Sequence, residues 1–528
     1  MIFNHLALLT MYPEYLRFLR ALRNPEKAQE NVLTEILTLN SGTDFGKEHG
    51  FTCITSPEKF REQVPISEYN DYARYIDQIK SGKENSLTHD RVLILEPTGG
   101  STSGTKLIPY SKTLQKQFSR GIYPWLVDLF LEYPRLMKGK SYWSITPPNI
   151  KPYRTEAGIP VGFKDDTDYF GKAGDWIKRG LIEPPLQGLG EFNQEEFYYL
   201  TLFYLLREKN LTFISAWHPS FLIILMRYLD QFKSELIHDI ASGQLRVRSN
   251  LKFKPNPKRA GDLEQGLGSE TVDFKRVWPE LSIISCWTQG PSAMFIPKLE
   301  RLFPGITIQA KGLLATEGIV SFPFKGSGGN VISIRSHFLE FIERETGSAK
   351  FCWELERGRL YTVLITTAGG LYRYNMHDIV RVTGFDGRLP LIEFCGKEDL
   401  VVDYFGEKLN EYFIRINVEK VLNKFKIEPE FMLFVPAKED GFHYRLEIFT
   451  NTTITAEPDE VSGYIDALLK ENIQYKNARD LGQIRQLRTV VKEFTQDTIP
   501  GYVKKLSAQR GKTGIVKPLI ISGRKRSD

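Results

Sequence analysis

Apolar residues recur at two spacings along the chain, one helical and one strand-like. Helical spacing predicts helices over residues 25–40, 112–135, 193–209 and 219–240. Short runs rich in β-branched and aromatic residues predict strands at 91–95, 282–286, 307–309 and 358–366. Because strands and helices alternate, the pattern favours an α/β fold built from layered sheets.

The ends of the chain differ from this middle part. The first 80 residues are predicted to be helical, with Ser56 as an N-cap ahead of Pro57 at the first helical position. Near Gly396-Lys397 a β-rich stretch gives way to charged helices (410–425, 459–471) and a strand pair (431–435, 445–449). We therefore expect a large N-terminal domain over residues 1–396 and a smaller α+β domain over 397–528.

Composition narrows the class of protein. With 528 residues, 41% hydrophobic and 25% charged, the chain resembles a soluble globular protein of about three to four folding units. Its four cysteines form no CxxC pair, which argues against a disulfide framework or a zinc cluster and favours a reducing compartment. The N-terminus shows no signal peptide and no apolar run reaches ~20 residues, so we expect a cytoplasmic protein without membrane segments.

The net charge of +6 is concentrated at one end. Residues 503–528 hold eight basic residues and one acid, a charge of +7, which leaves −1 for the rest of the chain. A basic tail attracts phosphate, so a non-catalytic nucleotide or nucleic-acid binder stays open as an alternative. No zinc finger, recognition helix or RNA-binding signature accompanies the charge, and we expect no nucleic-acid partner.

A glycine-rich loop follows the predicted strand at 91–95, running from Thr98 to Lys106 as TGGSTSGTK. Its glycines allow backbone amides to approach an oxyanion, its hydroxyls add donors, and the lysine adds a positive charge. This composition suits a phosphate cradle. It is not a Walker loop, because Gly104-Thr105-Lys106 is followed by an extended-looking segment instead of a helix. A flexible surface loop is the alternative interpretation.

Two further motifs carry carboxylates. Glu317, in Leu-Leu-Ala-Thr-Glu-Gly318, is suited to Mg²⁺ because a hard cation binds carboxylate and triphosphate oxygens. The alternative is a helix start capped by Thr316. Asp378 lies between two predicted strands in Gly370–Arg381, where its carboxylate suits a ribose diol, although an Asp closing a β-turn is the alternative. His377 beside it is expected to be structural.

Taken in this order, the three motifs resemble those of acyl-adenylate-forming enzymes, the superfamily that includes firefly luciferase. Within it the chain most resembles the Gretchen Hagen three (auxin-responsive) acyl acid amido synthetases. The family's blocks are matched almost from end to end, at residues 44–50, 64–69, 287–317, 337–341 and 370–385. The loop departs from the superfamily pattern at Gly99, Ser103 and Thr105, which replace a serine, a glycine and a proline.

The resemblance implies a role for each matched position. The ATP-binding residues would be Thr98, Gly99, Gly100, Ser101, Thr102, Ser103, Gly104, Lys106, Thr316, Glu317, Asp378 and Lys397. Thr316 and Glu317 would contact the α-phosphate and Mg²⁺, and Asp378 the ribose. Lys397 stands where the superfamily usually has arginine, whose bidentate contact a lysine does not reproduce.

The resemblance also implies a catalytic lysine near the C-terminus and an acid-binding pocket. Lys517, in Gly514-Ile-Val-Lys517-Pro518, is the candidate, with Lys512 as the second choice. A surface lysine of the basic tail is the alternative interpretation for both. The residues implied in the acid pocket are Phe118, Tyr123, Trp217, His218, Trp287 and Gly290. Aromatic residues at such spacing also suit a hydrophobic core.

The resemblance implies a ligase that forms carbon–nitrogen bonds. It would activate a carboxylic acid with ATP and Mg²⁺ as acyl-AMP and transfer the acyl group to an amine, expected to be an amino acid. An acyl-CoA ligase shares the first step and remains an alternative. The fold that the resemblance implies is a large N-terminal domain of layered α/β sheets with a β-barrel-like part. A small, mobile α+β C-terminal domain that rotates between the steps would serve both half-reactions. We expect a monomer that acts on small molecules.

Overall fold

The computed structural model describes residues 2–98, 106–144, 153–162, 174–182, 184, 193–248, 251–268, 272–398, 400–495, 498–499 and 501–502. The helices are α1 Ile2–Ala21, α2 Pro25–Asn40, α3 Asp44–Glu48, α4 Pro57–Gln63, α5 Ala73–Lys80, α6 Lys112–Glu132, α7 Gly174–Gly180, α8 Gln194–Arg207, α9 Pro219–Ser242, α10 Pro257–Leu267, α11 Phe274–Val277, α12 Ile296–Leu302, α13 Glu411–Phe425, α14 Pro458–Leu469 and α15 Ile473–Asp480. The strands are β1 Ile94–Pro97, β2 Leu107–Tyr110, β3 Lys140–Trp143, β4 Tyr153–Arg154, β5 Pro160–Val161, β6 Leu211–Ser215, β7 Ile283–Cys286, β8 Thr307–Ala310, β9 Ser321–Phe324, β10 Gly329–Ile332, β11 Phe338–Glu343, β12 Ala349–Phe351, β13 Leu360–Thr366, β14 Tyr374–Asp386, β15 Leu389–Lys397, β16 Val401–Val402, β17 Leu409–Asn410, β18 Phe431–Ala437, β19 His443–Thr450 and β20 Arg488–Glu493.

The helical start of the chain is confirmed, and its local chemistry explains it. α4 begins at Pro57 because the Ser56 side chain accepts a hydrogen bond from the Lys59 amide at 3.3 Å. The helices predicted over 25–40, 112–135, 193–209 and 219–240 correspond to α2, α6, α8 and α9. The strand predicted at 91–95 is shifted: β1 begins at Ile94 and runs to Pro97.

A parallel sheet in the order β3-β6-β7-β8 forms the centre of the N-terminal part. Phe213 and Ile283 on one face belong to the same core as residues of α6, whereas Ile214 and Ile284 on the other face pack in the core of α8 and α9. Strands buried on both faces are typical of parallel sheets in α/β proteins. Because the strands are parallel, their carboxyl ends share one edge of the sheet.

An antiparallel sheet of the order β12-β11-β13-β14-β15-β10-β9 stands where the β-barrel-like part was expected. The long strands β14 and β15 are joined by a short turn at Gly387, and their register pairs Asp378 with Lys397. This pairing brings the third sequence motif beside Lys397, at the predicted domain boundary.

The C-terminal part is a mixture of helices and strands, as predicted. The sheet β18-β19-β20 packs with α13 and α14 around a core drawn from residues 402–487. Phe431 and Leu433 also join the core of α8 and α9. The boundary near Gly396-Lys397, at the end of β15, stays a prediction. Among the described residues, no helix has both the length and the apolar character needed to cross a membrane.

Candidate active site

The glycine-rich loop connects two antiparallel strands. β1 and β2 pair from Ile94↔Tyr110 to Pro97↔Leu107, and the Thr98 amide donates to the Lys106 carbonyl at 2.9 Å. Because an extended strand follows Lys106, the prediction that this is no Walker loop is confirmed. Gly99, Gly100, Ser101, Thr102, Ser103 and Gly104, the loop residues predicted to hold phosphate, lie outside the described residues.

Lys106 is held by two tyrosines from distant segments. Its Nζ donates to the Tyr374 hydroxyl at 3.0 Å and lies 5.9 Å from the centre of the Tyr69 ring. The Tyr69 hydroxyl in turn accepts from the Leu107 amide at 2.7 Å. The block at residues 64–69 thus fixes where the loop ends and where its lysine points.

Thr316 and Glu317 occupy the tip of a tight turn. The Ala315 and Gly318 amides and carbonyls bond to each other at 3.0 and 3.2 Å, and Leu314 bridges to Ile319. The helix-cap interpretation of Thr316 is therefore wrong, because the chain here runs from β8 to β9 through a hairpin-like turn. The Tyr110 hydroxyl donates to the Thr316 carbonyl at 2.6 Å, which ties the turn to β2.

Gly318 allows this turn to approach the core closely. A Cβ at Gly318 would lie 2.4 Å from Ile365 and 2.8 Å from the His337 ring. Only glycine fits at such separations. The second carboxylate motif therefore ends in glycine for a packing reason, and Glu317 is held at a fixed distance from β13.

Asp378 belongs to one continuous strand, so the interpretation of an Asp closing a β-turn is wrong. β14 runs from Tyr374 to Asp386 and bends at His377, whose φ is 57°. The pairing with β13 shifts at this point. His377 is structural, as expected: its Nε2 lies 2.7 Å from the Glu68 carboxylate.

The buried Asp378 carboxylate pairs with Lys397. The Lys397 Nζ lies 2.9 Å from Asp378 Oδ1 and also donates to the Met376 carbonyl at 3.1 Å. A single ammonium thus contacts the strand on both sides of His377. This contact differs from the bidentate fork of the arginine that is usual in the superfamily.

These groups share one electrostatic environment. Burial raises the pKa of the Glu317 carboxyl, Asp378 raises it further, and the positive charges of Lys397 and Lys106 oppose the shift. Burial, followed by Glu317, Glu68 and Asp378, also raises the pKa of Tyr374, which stays a neutral phenol. We call Lys106, Glu317, Tyr374, Asp378 and Lys397 the charged cluster. It brings together all three sequence motifs.

Sequence reasoning missed the ion pair that supports this cluster. Arg373, which precedes β14, donates to both carboxylate oxygens of Glu340 at 2.9 and 3.1 Å, and both side chains are buried. Arg373 also donates to the Val64 carbonyl at 2.7 Å. Both residues lie within matched blocks, at 337–341 and 370–385, and that was the only available signal.

The predicted acid-pocket residues fall into two groups. Phe118 contacts Tyr110 and His337, with ring centres 5.5 Å apart in each case, and Trp217 lies 5.5 Å from Trp287. Tyr123 is buried in α6. His218 instead caps α9 by accepting from the Ser220 amide at 3.1 Å, and Gly290 packs its backbone on Phe394. The assignment of all six residues to the acid pocket stays a prediction.

A buried lysine near this aromatic group was not predicted. Lys311 follows β8 and its Nζ lies 5.1, 5.9 and 6.0 Å from the ring centres of Trp217, Trp143 and Trp125. We call Lys311 and these three residues the tryptophan cage. A charged residue two positions after the strand predicted at 307–309 was the only sequence signal.

Two models of one protein family match most of the chain. Residues 15–308 match the GH3 family N-terminal domain and residues 330–397 match the GH3 family central domain. The chain belongs to the GH3 family. The predicted family, Gretchen Hagen three, is thus confirmed. The predicted catalytic lysine, Lys517, and its alternative Lys512 lie outside the described residues.

Several named GH3 proteins are similar to this chain. Indole-3-acetic acid-amido synthetase GH3.2 of Arabidopsis thaliana is 26% identical over 444 residues, which cover 76% of this chain and 79% of that protein. Indole-3-acetic acid-amido synthetase GH3.8 of Oryza sativa subsp. indica is 26% identical over 447 residues, covering 77% and 72%. These names agree with the predicted class, a ligase that forms carbon–nitrogen bonds.

Solved structures share the fold. The AtGH3.15 acyl acid amido synthetase in complex with 2,4-DB superimposes with a TM-score of 0.81 and 22% identity, covering 96% of this chain and 94% of that one. A 2-hydroxyisobutyryl-CoA ligase in the postadenylation state with 2-HIB-AMP gives a TM-score of 0.52 at 12% identity, covering 92% of each chain. The predicted fold class, that of adenylate-forming enzymes, is confirmed.

Proposed function

We propose that this GH3 protein is an ATP-dependent acyl acid amido synthetase. It converts a carboxylic acid and ATP into acyl-AMP and pyrophosphate, and an amine, expected to be an amino acid, then takes the acyl group and releases AMP. The observation that carries the proposal is the charged cluster, in which the three motifs supply one lysine and two carboxylates to one place and Lys397 adds a second lysine. The names of the GH3 relatives support the same reaction.

The proposed roles follow from the chemistry of each side chain. Lys106, with the loop Thr98–Gly104, holds the ATP phosphates, since ammonium and hydroxyl donors suit phosphate oxygens. Thr316 contacts the α-phosphate from the tip of its turn. Asp378 accepts from the ribose hydroxyls, and Lys397, which pairs with Asp378 at 2.9 Å, orients that carboxylate.

The Glu317 carboxylate, together with the phosphates of ATP, is a suitable set of oxygen ligands for Mg²⁺. The part of the chain that the structure describes contains no group of three His, Cys, Asp or Glu side chains able to form a metal cage. Mg²⁺ is commonly held by one or two carboxylates together with substrate phosphates. We assign Glu317 as that carboxylate. When bound, the ion would neutralise charge on the phosphates during attack.

The first step makes a poor acylating agent reactive. The acid's carboxylate oxygen attacks the α-phosphorus of ATP, a phosphorus–oxygen bond forms, and the bond to pyrophosphate breaks. Lys106 and the loop donors stabilise the negative charge that moves onto pyrophosphate. In the second step the amine nitrogen attacks the acyl carbon, a proton leaves the nitrogen, and AMP departs with the electron pair of the cleaved carbon–oxygen bond.

We assign the tail lysine Lys517 to the first step, delivered by a mobile domain over residues 397–528. An ammonium beside the α-phosphate would stabilise the charge that develops there. Lys517→Ala should lower acid-dependent pyrophosphate exchange roughly 10²-fold, the scale of losing one stabilising donor. Lys512→Ala is the matched control and should change it little. The reverse order of effects would transfer the role to Lys512.

An acyl-CoA ligase remains the second candidate, since the chain shares its fold with 2-hydroxyisobutyryl-CoA ligase. One experiment separates them. The purified protein is given ATP, Mg²⁺ and a panel of carboxylic acids, and pyrophosphate and AMP are followed with an amino-acid mixture or coenzyme A as acceptor. AMP release that needs amino acids supports the amide. Release that needs coenzyme A overturns it, and absence of acid-dependent exchange removes both.

We further propose that the protein acts in the cytoplasm as a monomer on small molecules. Its four cysteines are free, which suits a reducing compartment. Binding to nucleic acid through residues 503–528 is the competing use of the basic tail. It would appear as salt-dependent binding of DNA or RNA that is lost on removal of that segment.

A further inference from the structure

The lysine of the tryptophan cage lies in the protein interior, where charged side chains are rare. Lys311 is 3% exposed. Its ammonium donates to the Ser215 hydroxyl and, at 3.1 Å, to the Ala216 carbonyl. The indoles of Trp217, Trp143 and Trp125 face it at cation–π distances. These contacts hold the ammonium at a fixed place inside the protein, where the low dielectric strengthens its attraction to a bound acceptor.

A row of polar residues lies beside the cage at the carboxyl end of the parallel sheet. The register aligns Trp143, Ser215, Ser285 and Gln309 across β3, β6, β7 and β8. The Trp125 indole donates to Gln309 at 3.2 Å. Ser285 is fully buried, and its hydroxyl has no hydrogen-bond partner in the described part of the chain. An unsatisfied buried hydroxyl is unfavourable and points to a missing ligand atom.

The position of this row in the fold is that of a ligand site. In open α/β sheets, ligands bind outside the carboxyl ends of the parallel strands. β6, β7 and β8 end at Ser215, Cys286 and Ala310, and Lys311 continues from the last of these. The ammonium and the orphan hydroxyl therefore lie at the edge where a bound molecule is expected.

Helix α6 gives the distance between this edge and the charged cluster. Phe118 contacts Tyr110, whose hydroxyl holds the Thr316 carbonyl, and Trp125 contacts the Lys311 ammonium. Seven residues separate Phe118 from Trp125, a rise of roughly 10 Å along a helix. A molecule lying along α6 with one end near Glu317 thus reaches Lys311 with its other end.

We propose that the tryptophan cage is the far wall of the acid pocket and that Lys311 selects the acid. Its ammonium, aided by the Ser285 hydroxyl, binds a hydrogen-bond acceptor on the acid, best a second carboxylate, at the end remote from the reacting carboxylate. The three indoles cover the apolar or aromatic body between the two ends. The proposal rests on the proposed function for the position of the reacting end.

The test compares three acids that differ at one position: phenylacetate, 4-hydroxyphenylacetate and 4-carboxyphenylacetate. In wild type, the KM for acid in pyrophosphate exchange should fall in that order, by roughly ten- to a hundredfold overall, the scale of a hydrogen bond to a charged group. Lys311→Met keeps the length of the side chain without its charge and should bring the KM values for the three acids to within a few-fold of one another. Lys325→Met, a lysine exposed on the surface, is the matched control and should keep it.

Ser285→Ala is a milder second variant, should Lys311→Met fail to fold. It removes only the orphan hydroxyl and should reduce the preference a few-fold. A Lys311→Met enzyme that loses activity equally with all three acids, or a wild type without preference, overturns the proposal.

Binding without ATP keeps this inference separate from the proposed function. 4-Carboxyphenylacetate should quench tryptophan fluorescence in wild type and not in Lys311→Met. If quenching follows this pattern but no acid supports pyrophosphate exchange, the proposed function fails and the binding site stands. If exchange proceeds but quenching is equal in both proteins, the binding site fails alone.

Discussion

Two lysines at the ends of β-strands show how differently the two sites hold a positive charge. Lys397 ends β15 and lies 2.9 Å from the Asp378 carboxylate, within a cluster that contains a further lysine and a further carboxylate. Lys311 follows β8, and its ammonium faces three indole rings and donates to two neutral oxygens. Alternating charges suit a nucleotide that is itself charged and metal-bound. An aromatic enclosure with one ammonium suits an apolar body that carries one acceptor.

The largest effect is expected from Asp378→Ala. It removes the proposed ribose acceptor and leaves Lys397 without its carboxylate, so adenylation should fall by roughly 10³-fold, the upper end for loss of one preorganised group. Acid-dependent pyrophosphate exchange measures this loss. Asp386→Ala, at the other end of the same strand, is the control and should be close to wild type. If Asp378→Ala catalysed pyrophosphate exchange at the wild-type rate, Asp378 would not belong to the nucleotide site.

A smaller loss, roughly 10²-fold, is expected from Glu317→Gln, because an amide of the same size binds Mg²⁺ more weakly than a carboxylate. The Mg²⁺ concentration for half-maximal exchange should rise, and the choice between acids should not change. Glu345→Gln, an exposed carboxylate, serves as the control. An unchanged Mg²⁺ requirement would mean that Glu317 has no contact with the metal.

Between the two sites lies a histidine that should respond to acid through stability alone. His337 is buried against Phe118 and Gly318, and burial lowers its pKa to about 3, with Arg120 adding to the shift. Below pH 6.5 this histidine is protonated in the unfolded chain but stays neutral in the folded protein down to about pH 3. The free energy of unfolding should therefore fall by about 2 kcal/mol from pH 7 to pH 5 through this residue.

His337→Leu should remove that part of the pH dependence, and it costs no hydrogen bond, because neither ring nitrogen has a partner in the described chain. Urea unfolding at pH 7 and pH 5 measures the difference. The control is His238→Leu on the exposed side of α9. Equal pH dependence in wild type and His337→Leu would show that His337 is protonated without cost.

The charged cluster could be predicted from the sequence, and the tryptophan cage could not, for physical reasons. Lys106, Glu317 and Asp378 each lie in a short segment whose local chemistry already suggests a ligand, and family blocks set their order. What the sequence did not reveal was the local backbone around them. Thr316 was open to interpretation as a helix cap and Asp378 as a turn residue. Threonine is common at helix caps and aspartate at turns, and both residue types are also common in ligand sites.

The cage depends on register, which no local pattern encodes. Trp143, Ser215, Ser285 and Gln309 come from four separate strands and meet only because the parallel sheet aligns them. Lys311 has no motif of its own, and aromatic residues at helical spacing, such as Trp125 in α6, are also typical of a core. The same holds for the Arg373–Glu340 ion pair, which joins residues 33 positions apart.

The smallest effect, and the sharpest separation of the two sites, is expected from Tyr374→Phe. The change removes the hydroxyl that accepts from Lys106 at 3.0 Å but keeps the ring whose centre lies 5.7 Å from the same ammonium. Lys106 loses one partner and keeps its approximate place, so the KM for ATP should rise several-fold, near the net value of one hydrogen bond. Tyr153→Phe, at an exposed tyrosine, is the matched control and should leave the KM for ATP unchanged. The preference between phenylacetate and 4-carboxyphenylacetate should be the same in Tyr374→Phe as in wild type, whereas Lys311→Met should change that preference and leave the KM for ATP alone. A single variant that moves both quantities together would mean that the charged cluster and the tryptophan cage act as one site.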